Sequence, residues 1–275
     1  MKKILIIPNM QRDKDGFGTR KVISLLKSKN YLPIMDNSLK KNNFDAEYTD
    51  ITKCPDIKMA IIIGGDGTIL ANSKRFINTD VPIIGINHGH VGFLTELEKD
   101  DIKYLEQILD ENYIIDERPV LSIEYNREKY FSINEATIHR GNSAKMLNIE
   151  IIIDNITMNS FRADGLIVST SSGSTAYSLS AGGPIIDPMV NAFVITPICP
   201  HNLYIRSVVV PAEREIIVKL KNTESGVFSV DGNMISQLDG NQEITITKGG
   251  FLKMIKLDKN SFYNKVKKKF FEKDV

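Results

Sequence analysis

The chain has 275 residues, enough for two modest domains or one large one, each with room for a buried core. Its 42% hydrophobic and 25% charged content is ordinary for a globular chain, and a net charge of +1 excludes the strongly basic profile of a nucleic-acid or anionic-membrane binder. Two cysteines, Cys54 and Cys199, stand too far apart in sequence to outline a disulfide framework and fit a reducing, cytoplasmic setting. The apolar run after Lys2 and Lys3 is too short for a signal peptide, and no run reaches membrane-spanning length.

In chain order, Lys3–Ile7 reads as a buried opening strand and Asn9–Gly18 as a polar loop. Val22, Leu25 and Leu26 recur at helical spacing and predict an amphipathic helix over Thr19–Lys29. Tyr31–Asp36 suits a second strand, and Leu39–Pro55 a loop with short elements. Ile61, Ile62 and Ile63 then predict a fully buried, parallel strand. That strand runs into Gly64-Gly65-Asp66-Gly67-Thr68, with Ile69 and Leu70 suited to the first turn of a helix. Asp80–Asn87 predicts the next strand, ending in a second glycine loop that includes Gly89 and Gly92-Phe93-Leu94. Asp100–Asp110 reads as a helix with Ile102, Leu105, Ile108 and Leu109 on its apolar face.

The pattern changes near Glu117-Arg118-Pro119. Short alternating strands follow at Val120–Tyr125, Tyr130–Ile138, Leu147–Ile153, Gly165–Ser169, Arg206–Val210, Glu215–Leu220, Val227–Val230 and Glu243–Thr247. Asp231-Gly232 and Asp239-Gly240 are predicted turns between them. The expected fold is an α/β N-terminal domain over residues 1–117, an open and mostly parallel sheet with helices, followed by a β-rich C-terminal domain over 118–250. Residues 251–275 are expected to return to the first domain.

Three clusters point to chemistry. A strand–glycine turn–helix unit at Gly64–Thr68 gathers backbone N–H groups and a helix N-terminus, which suits phosphate. The turn is neither a G-x-x-x-x-G-K-[ST] loop nor a complete G-x-G-x-x-G. Asp66 would repel a phosphate, so it reads as a metal-associated group or as the base for a hydroxyl attacking phosphorus; the bland alternative is a helix N-cap. Ligands of open α/β sheets sit at the carboxyl ends of strands, so the two glycine loops could share one crevice. Asn134-Glu135, two poor strand formers in a β-rich context, suit a turn or a site that reads sugar hydroxyls and a base edge. Arg162–Pro184 opens from an apolar strand into Ser and Thr hydroxyls and then a small-residue helix start, where hydroxyls cap the helix and bind anions or ribose.

Other features read as structural. His88-Gly89-His90 invites a metal, but no cysteine or carboxylate pair at ligand spacing accompanies it. Cys199-Pro200-His201 has no orienting third group for a nucleophile–base pair. Lys265 and Lys267–Lys269 with Phe270 and Phe271 read as a solvated helix face with an apolar anchor.

Together these residues resemble the NAD kinase family. Gly64–Thr68 is similar to its G-G-D-G-T motif, and Gly85-Ile86-Asn87 with Gly89 and Gly92-Phe93-Leu94 to its second loop. Asn134-Glu135 matches its Asn-Glu pair. Asp164–Tyr177 with Ser178–Pro184, containing the run G-S-T-A-Y-S-L-S-A-G-G-P, resembles its most specific segment, and Ile195–His201 also fits. The first motif alone is shared with diacylglycerol, sphingosine and ceramide kinases. His88, Ser172 and Ser207 depart from the residues common at those places in the family.

The resemblance implies transfer of the γ-phosphoryl group of ATP to the 2′-hydroxyl of the adenosine ribose of NAD, with Mg²⁺ or another divalent cation held through nucleotide phosphates rather than by assignable protein ligands. It implies that Gly64, Gly65, Gly67 and Thr68 cradle phosphate and that Asp66 is the base or hydroxyl-orienting group. Asp66, Gly67, Phe93, Asn134, Glu135, Arg162, Asp164, Thr175, Ala176, Tyr177 and Ser180 are implied to contact NAD. Asn134 and Glu135 would hold its adenosine half, Thr175, Ala176 and Ser180 its adenine and ribose, and Asp164 and Tyr177 the nicotinamide side. The family also implies a homodimer or homotetramer, and the charge and cysteine content are in keeping with a cytoplasmic protein without a nucleic-acid or membrane partner. A lipid kinase using the same turn would need an apolar acceptor cleft, and a non-catalytic nucleotide sensor would need no base.

Overall fold

The computed structural model describes residues 1–51, 56–89, 92–258 and 260–272, the side chains of 223 and 224 excepted; Cys54 and His90 lie outside them. The chain divides into two compact units, Met1–Glu117 with Lys253–Val275, and Arg118–Leu252.

The first unit begins with β1 (Lys3–Pro8), α1 (Phe17–Ser28), β2 (Leu32–Asp36) and a 3₁₀ turn at Asn37–Asn42. It continues with β3 (Glu47–Thr49), β4 (Ile57–Gly64), α2 (Asp66–Ser73), β5 (Ile83–Asn87) and β6 (Leu97–Glu98). Asp100–Asp110 is less regular than its apolar spacing predicts: a 3₁₀ turn at Ile102–Tyr104 leads into a short α3 (Leu105–Leu109). The strands pair in parallel in the order β3-β2-β1-β4-β5. Met59 to Ile63 on β4 are fully buried, which accounts for the continuous apolar run of a strand covered on both faces. Val22, Ile23 and Leu26 of α1 pack into this core. The α1 N-terminus is closed by Asp13, whose carboxylate accepts the N–H groups of Gly18 (3.1 Å) and Thr19 (2.8 Å). The strand order reverses between β1 and β4, so the loops leaving their carboxyl ends flank a natural binding crevice.

The chain leaves the first unit within β7 (Ile114–Tyr125) and then forms β8 (Glu128–Ser132), β9 (Glu135–His139), β10 (Leu147–Ile153) and β11 (Ile156–Thr170). After a 3₁₀ turn at Ser172–Thr175 come α4 (Tyr177–Ser180), β12 (Ala192–Pro200), β13 (Val208–Pro211), β14 (Ile216–Val230) and β15 (Asn233–Lys256). Antiparallel pairing runs β13-β12-β11-β10-β14-β15, and β9 pairs with both β11 and β14. Phe193, Phe228, Ile149, Ile216 and Ile244 lie in a second core, separate from the first.

Two turn and strand readings differ. β12 carries no alternating polar face, and Pro197 and Pro200 interrupt its run, yet its pairing with β11 places Pro197 opposite Leu166. Asp239-Gly240 is not a chain reversal; Gly240 lies inside β15, opposite residue 223, where the ladder with β14 shifts register. Asp231-Gly232 does turn the chain, with φ of 48° and 75°, between β14 and β15. The last segment of the chain forms α5 (Ser261–Val266) and one further turn, Lys267–Phe271.

Candidate active site

In the first unit, β4 delivers Gly64 to the carboxyl edge of the sheet and α2 starts immediately at Asp66. Gly65, rather than Asp66, occupies the capping position. The N–H groups of Thr68 and Ile69 turn inward onto the Gly65 carbonyl at 2.9 and 3.2 Å. Thr68 Oγ1 accepts the side-chain amide of Asn9 at 2.9 Å, tying the turn to the loop after β1. Gly67 is exposed, and a Cβ there would meet open space.

The second glycine loop closes on Asp66. Its Oδ2 accepts the Phe93 N–H at 2.8 Å and its Oδ1 accepts the Leu94 N–H at 3.1 Å. A Cβ at Gly92 would overlap this carboxylate, so residue 92 has to be glycine for the two loops to meet. The Phe93 ring is buried: it stacks on Phe270 with centroids 5.8 Å apart, lies 6.1 Å from Phe262, and carries Lys269 Nζ 4.5 Å from its centroid. The basic tail thus packs on the second loop through its aromatic residues, and Phe93 reaches Asp66 through its backbone.

The second unit builds a different site. Asp231, at the β14–β15 turn, gathers Ser132 Oγ (2.6 Å) and the N–H groups of Ile133 (3.2 Å) and Asn134 (2.9 Å), while its own N–H donates to the Glu135 carbonyl (3.0 Å). Glu135 opens β9 and is buried. Burial, with the Asp231 carboxylate adding repulsion, raises its pKa to about 7 against an opposing bond from the Tyr177 N–H. Glu135 lines a cleft of about 490 Å³ together with Asp164, Tyr177, Thr137, His139 and Arg140. Arg140 Nε pairs with Asp164 Oδ1 at 2.8 Å, and the Arg140 N–H donates to the Asp164 carbonyl at 2.9 Å.

The Ser/Thr segment is mostly internal scaffolding rather than a hydroxyl-lined surface. Thr170 Oγ1 donates to the Ile133 carbonyl at 2.6 Å, Ser174 Oγ to that of Ile186 at 3.2 Å, and Ser172 Oγ accepts buried Arg118 Nη1 at 3.1 Å. The helix that follows has only four residues and no side-chain cap, because Ala176 holds the capping position. Arg162 is exposed on β11; it, Asn134, Thr175, Ala176 and Ser180 are not among the residues lining the cleft.

Sequence reasoning missed Asn9, Arg12, Asp231, His139 and Arg140. The first two lie in the loop after β1; the reversal of strand order, and not residue pattern, marks that loop. No three histidine, cysteine or carboxylate side chains cluster as metal ligands among the described residues.

A family model for the ATP-NAD kinase N-terminal domain matches residues 4–113, and one for the ATP-NAD kinase C-terminal domain matches residues 133–257. The chain belongs to the NAD kinase family. The NAD kinase of Lachnospira eligens is 33% identical over 98% of this chain and 100% of its own length. That of Methanothermobacter thermautotrophicus is 40% identical over 82% of this chain and 81% of its own. Among solved structures, an NAD kinase from Archaeoglobus fulgidus in complex with ATP superposes with a TM-score of 0.73 at 25% identity, covering 95% of this chain and 96% of that one. Yeast NADH kinase complexed with NADH gives a TM-score of 0.89 at 23% identity, over 100% of this chain and 89% of that one, a likeness of fold. No described helix of this NAD kinase family member is long and apolar enough to cross a membrane.

Proposed function

We propose that this chain transfers the γ-phosphoryl group of ATP to the 2′-hydroxyl of the adenosine ribose of NAD, forming NADP, with Asp66 as the residue that orients or deprotonates that hydroxyl. The observation that carries this reading is the Asp66 carboxylate, held by the Phe93 and Leu94 N–H groups where two glycine loops meet. A carboxylate fixed at both oxygens keeps lone pairs for a hydroxyl and loses little entropy on engaging it.

The α/β unit, residues 1–117, is the phosphate-binding domain on this reading. Gly64, Gly65, Gly67 and Thr68 cradle the donor phosphates, and the open space at Gly67 is where ligand replaces a side chain. Mg²⁺ or another divalent cation arrives as part of the nucleotide substrate and neutralises charge on its phosphates. The β-rich unit, residues 118–250 in the sequence reading, takes NAD. Asn134 and Glu135 hold the adenosine half, Thr175, Ala176 and Ser180 border adenine and ribose, and Asp164 and Tyr177 face the nicotinamide side, with Arg162 a further dinucleotide contact and Phe93 one through the backbone of its loop, since its ring is packed under Phe262 and Phe270. The charged lining of the 490 Å³ cleft supports a polar dinucleotide over a lipid acceptor. The enzyme works in the cytoplasm as a homodimer or homotetramer, without nucleic-acid or membrane partners.

The test is incubation of the purified protein with ATP, Mg²⁺ and NAD, read by a strictly NADP-dependent dehydrogenase. NADP that requires all three components is the expected result. Absence of NADP, with polyphosphate also tried as donor, would reject the reading.

A further inference from the structure

A triphosphate brings about four negative charges to a turn whose one charged side chain, Asp66, is itself negative. A G-x-x-x-x-G-K-[ST] loop answers this with a lysine inside the motif, and Gly64–Thr68 has none. Beyond the divalent cation that travels with the nucleotide, a protein cation has to come from elsewhere in the crevice. The loop after β1 supplies one. Its path is fixed: the Asn9 N–H donates to the Ile63 carbonyl at 2.8 Å, and the N–H groups of Arg12 and Asp13 return to the Asn9 carbonyl at 3.0 and 2.9 Å. The Asn9 side chain also grips Thr68 Oγ1. This turn aims Arg12 at both glycine loops. Arg12 Cζ and Nη1 lie 3.7 Å from where a Cβ on Gly65 would stand. A Cβ on Gly89 would overlap Arg12 Nη1, so the guanidinium lies against bare backbone there. Arg12 is exposed, its Nη1 makes a long 3.5 Å contact to the His88 carbonyl, and no carboxylate pairs with it among the described residues. Most of its five N–H donors are therefore available to a ligand.

We infer that Arg12 is a donor-binding residue: its guanidinium forks onto phosphoryl oxygens of the triphosphate held at Gly64–Thr68. Arginine rather than lysine suits this place, because the planar fork meets two oxygens at once. The role reads phosphate and not the base, so it applies equally to any triphosphate chain. The inference rests on the NAD kinase reading for its effect on turnover, but not for its effect on binding.

Arg12→Ala and Arg12→Lys are compared with the unaltered protein in two measurements. In the NADP assay, Arg12→Ala is expected to raise the KM for ATP roughly 10- to 100-fold, with the KM for NAD within twofold and part of the loss recovered in Arg12→Lys. By calorimetry, inorganic tripolyphosphate should bind the unaltered protein and bind Arg12→Ala weaker by a similar factor. A KM for ATP and a tripolyphosphate affinity both within twofold of the unaltered protein would overturn the inference, as would a fall in kcat with tripolyphosphate binding unchanged. If the unaltered protein makes no NADP, the kinase reading fails, and the tripolyphosphate comparison alone decides the role of Arg12. Equal losses in NAD and tripolyphosphate binding, shared by Arg12→Lys, would assign Arg12 a merely structural part and also overturn it.

Discussion

The two candidate sites are made of different materials. In the first unit, backbone does most of the work: glycines let two loops close on one carboxylate, and N–H groups hold Asp66. In the second, side chains do it: Asp231 ties down Ser132 and Asn134, Asp164 enters the cleft paired with Arg140, and Glu135 enters it buried and holding its proton more tightly than a free carboxyl. A backbone site concentrates its chemistry in one group, so a single substitution should abolish turnover while leaving the fold intact. A side-chain network spreads its role between stability and binding, so the same kind of substitution should change both.

The sharpest way to break this contrast is Asp66→Asn. It keeps the outline, removes the charge and replaces one of the two oxygens that accept the Phe93 and Leu94 N–H groups with an NH₂, and should lower kcat roughly 10²- to 10⁴-fold while NAD still binds by calorimetry. A kcat within threefold of the original would remove Asp66 from the mechanism.

Glu135 should show the opposite behaviour, through stability. Its pKa is raised to about 7 in the fold against 4.5 in the open chain, so the folded state holds the proton more tightly. That contribution is complete below about pH 4.5 and is lost as pH rises through about 7, amounting to on the order of 3 kcal/mol. Denaturant titrations at pH 5 and pH 8 should therefore differ less in Glu135→Gln than in the original. An equal pH dependence in both would show that Glu135 is not neutral in the fold.

Asp231→Ala should cost about 1–3 kcal/mol, since Ser132 and the N–H groups of Ile133 and Asn134 lose their acceptor. NAD affinity should fall with it, measurable by calorimetry at a temperature where the variant stays folded. The smallest effect on stability belongs to Gly67→Ala, which gains up to about 1 kcal/mol of helix propensity in α2. If phosphate occupies that open space, turnover should nevertheless drop; undiminished turnover would argue that no ligand approaches Gly67.

The contrast also explains what could be read without coordinates. Gly64–Thr68 declared itself because glycines and an acidic residue after three isoleucines have few other uses. The β1, β4 and β10 strands followed from unbroken or alternating apolar runs. Arg12 and Asn9 did not, because a polar loop has no period and its meaning comes from the reversal of strand order beside it. Asp231 read only as a turn residue, since its partners Ser132 and Asn134 lie about a hundred positions earlier. The hydroxyls of Thr170–Ser178 misled in the other direction: their density invited a ligand, whereas carbonyls brought close by β9 and the 186–188 segment take up several of them. Proline hid β12, whose pairing is supplied by neighbours that local sequence does not contain.

The path of β15 sets an order of events during synthesis. Ile255, near its end, belongs to the core shared by Ile4, Ile61 and Leu105, and Lys256 forms a buried pair with Glu96 at 2.7 Å. The ribosome must therefore release nearly the whole polypeptide before the earliest-made strands obtain their last neighbour. The intervening Arg118–Leu252 segment is free to mature first, and a nascent chain stopped near residue 117 would expose apolar surface to chaperones for as long as translation paused.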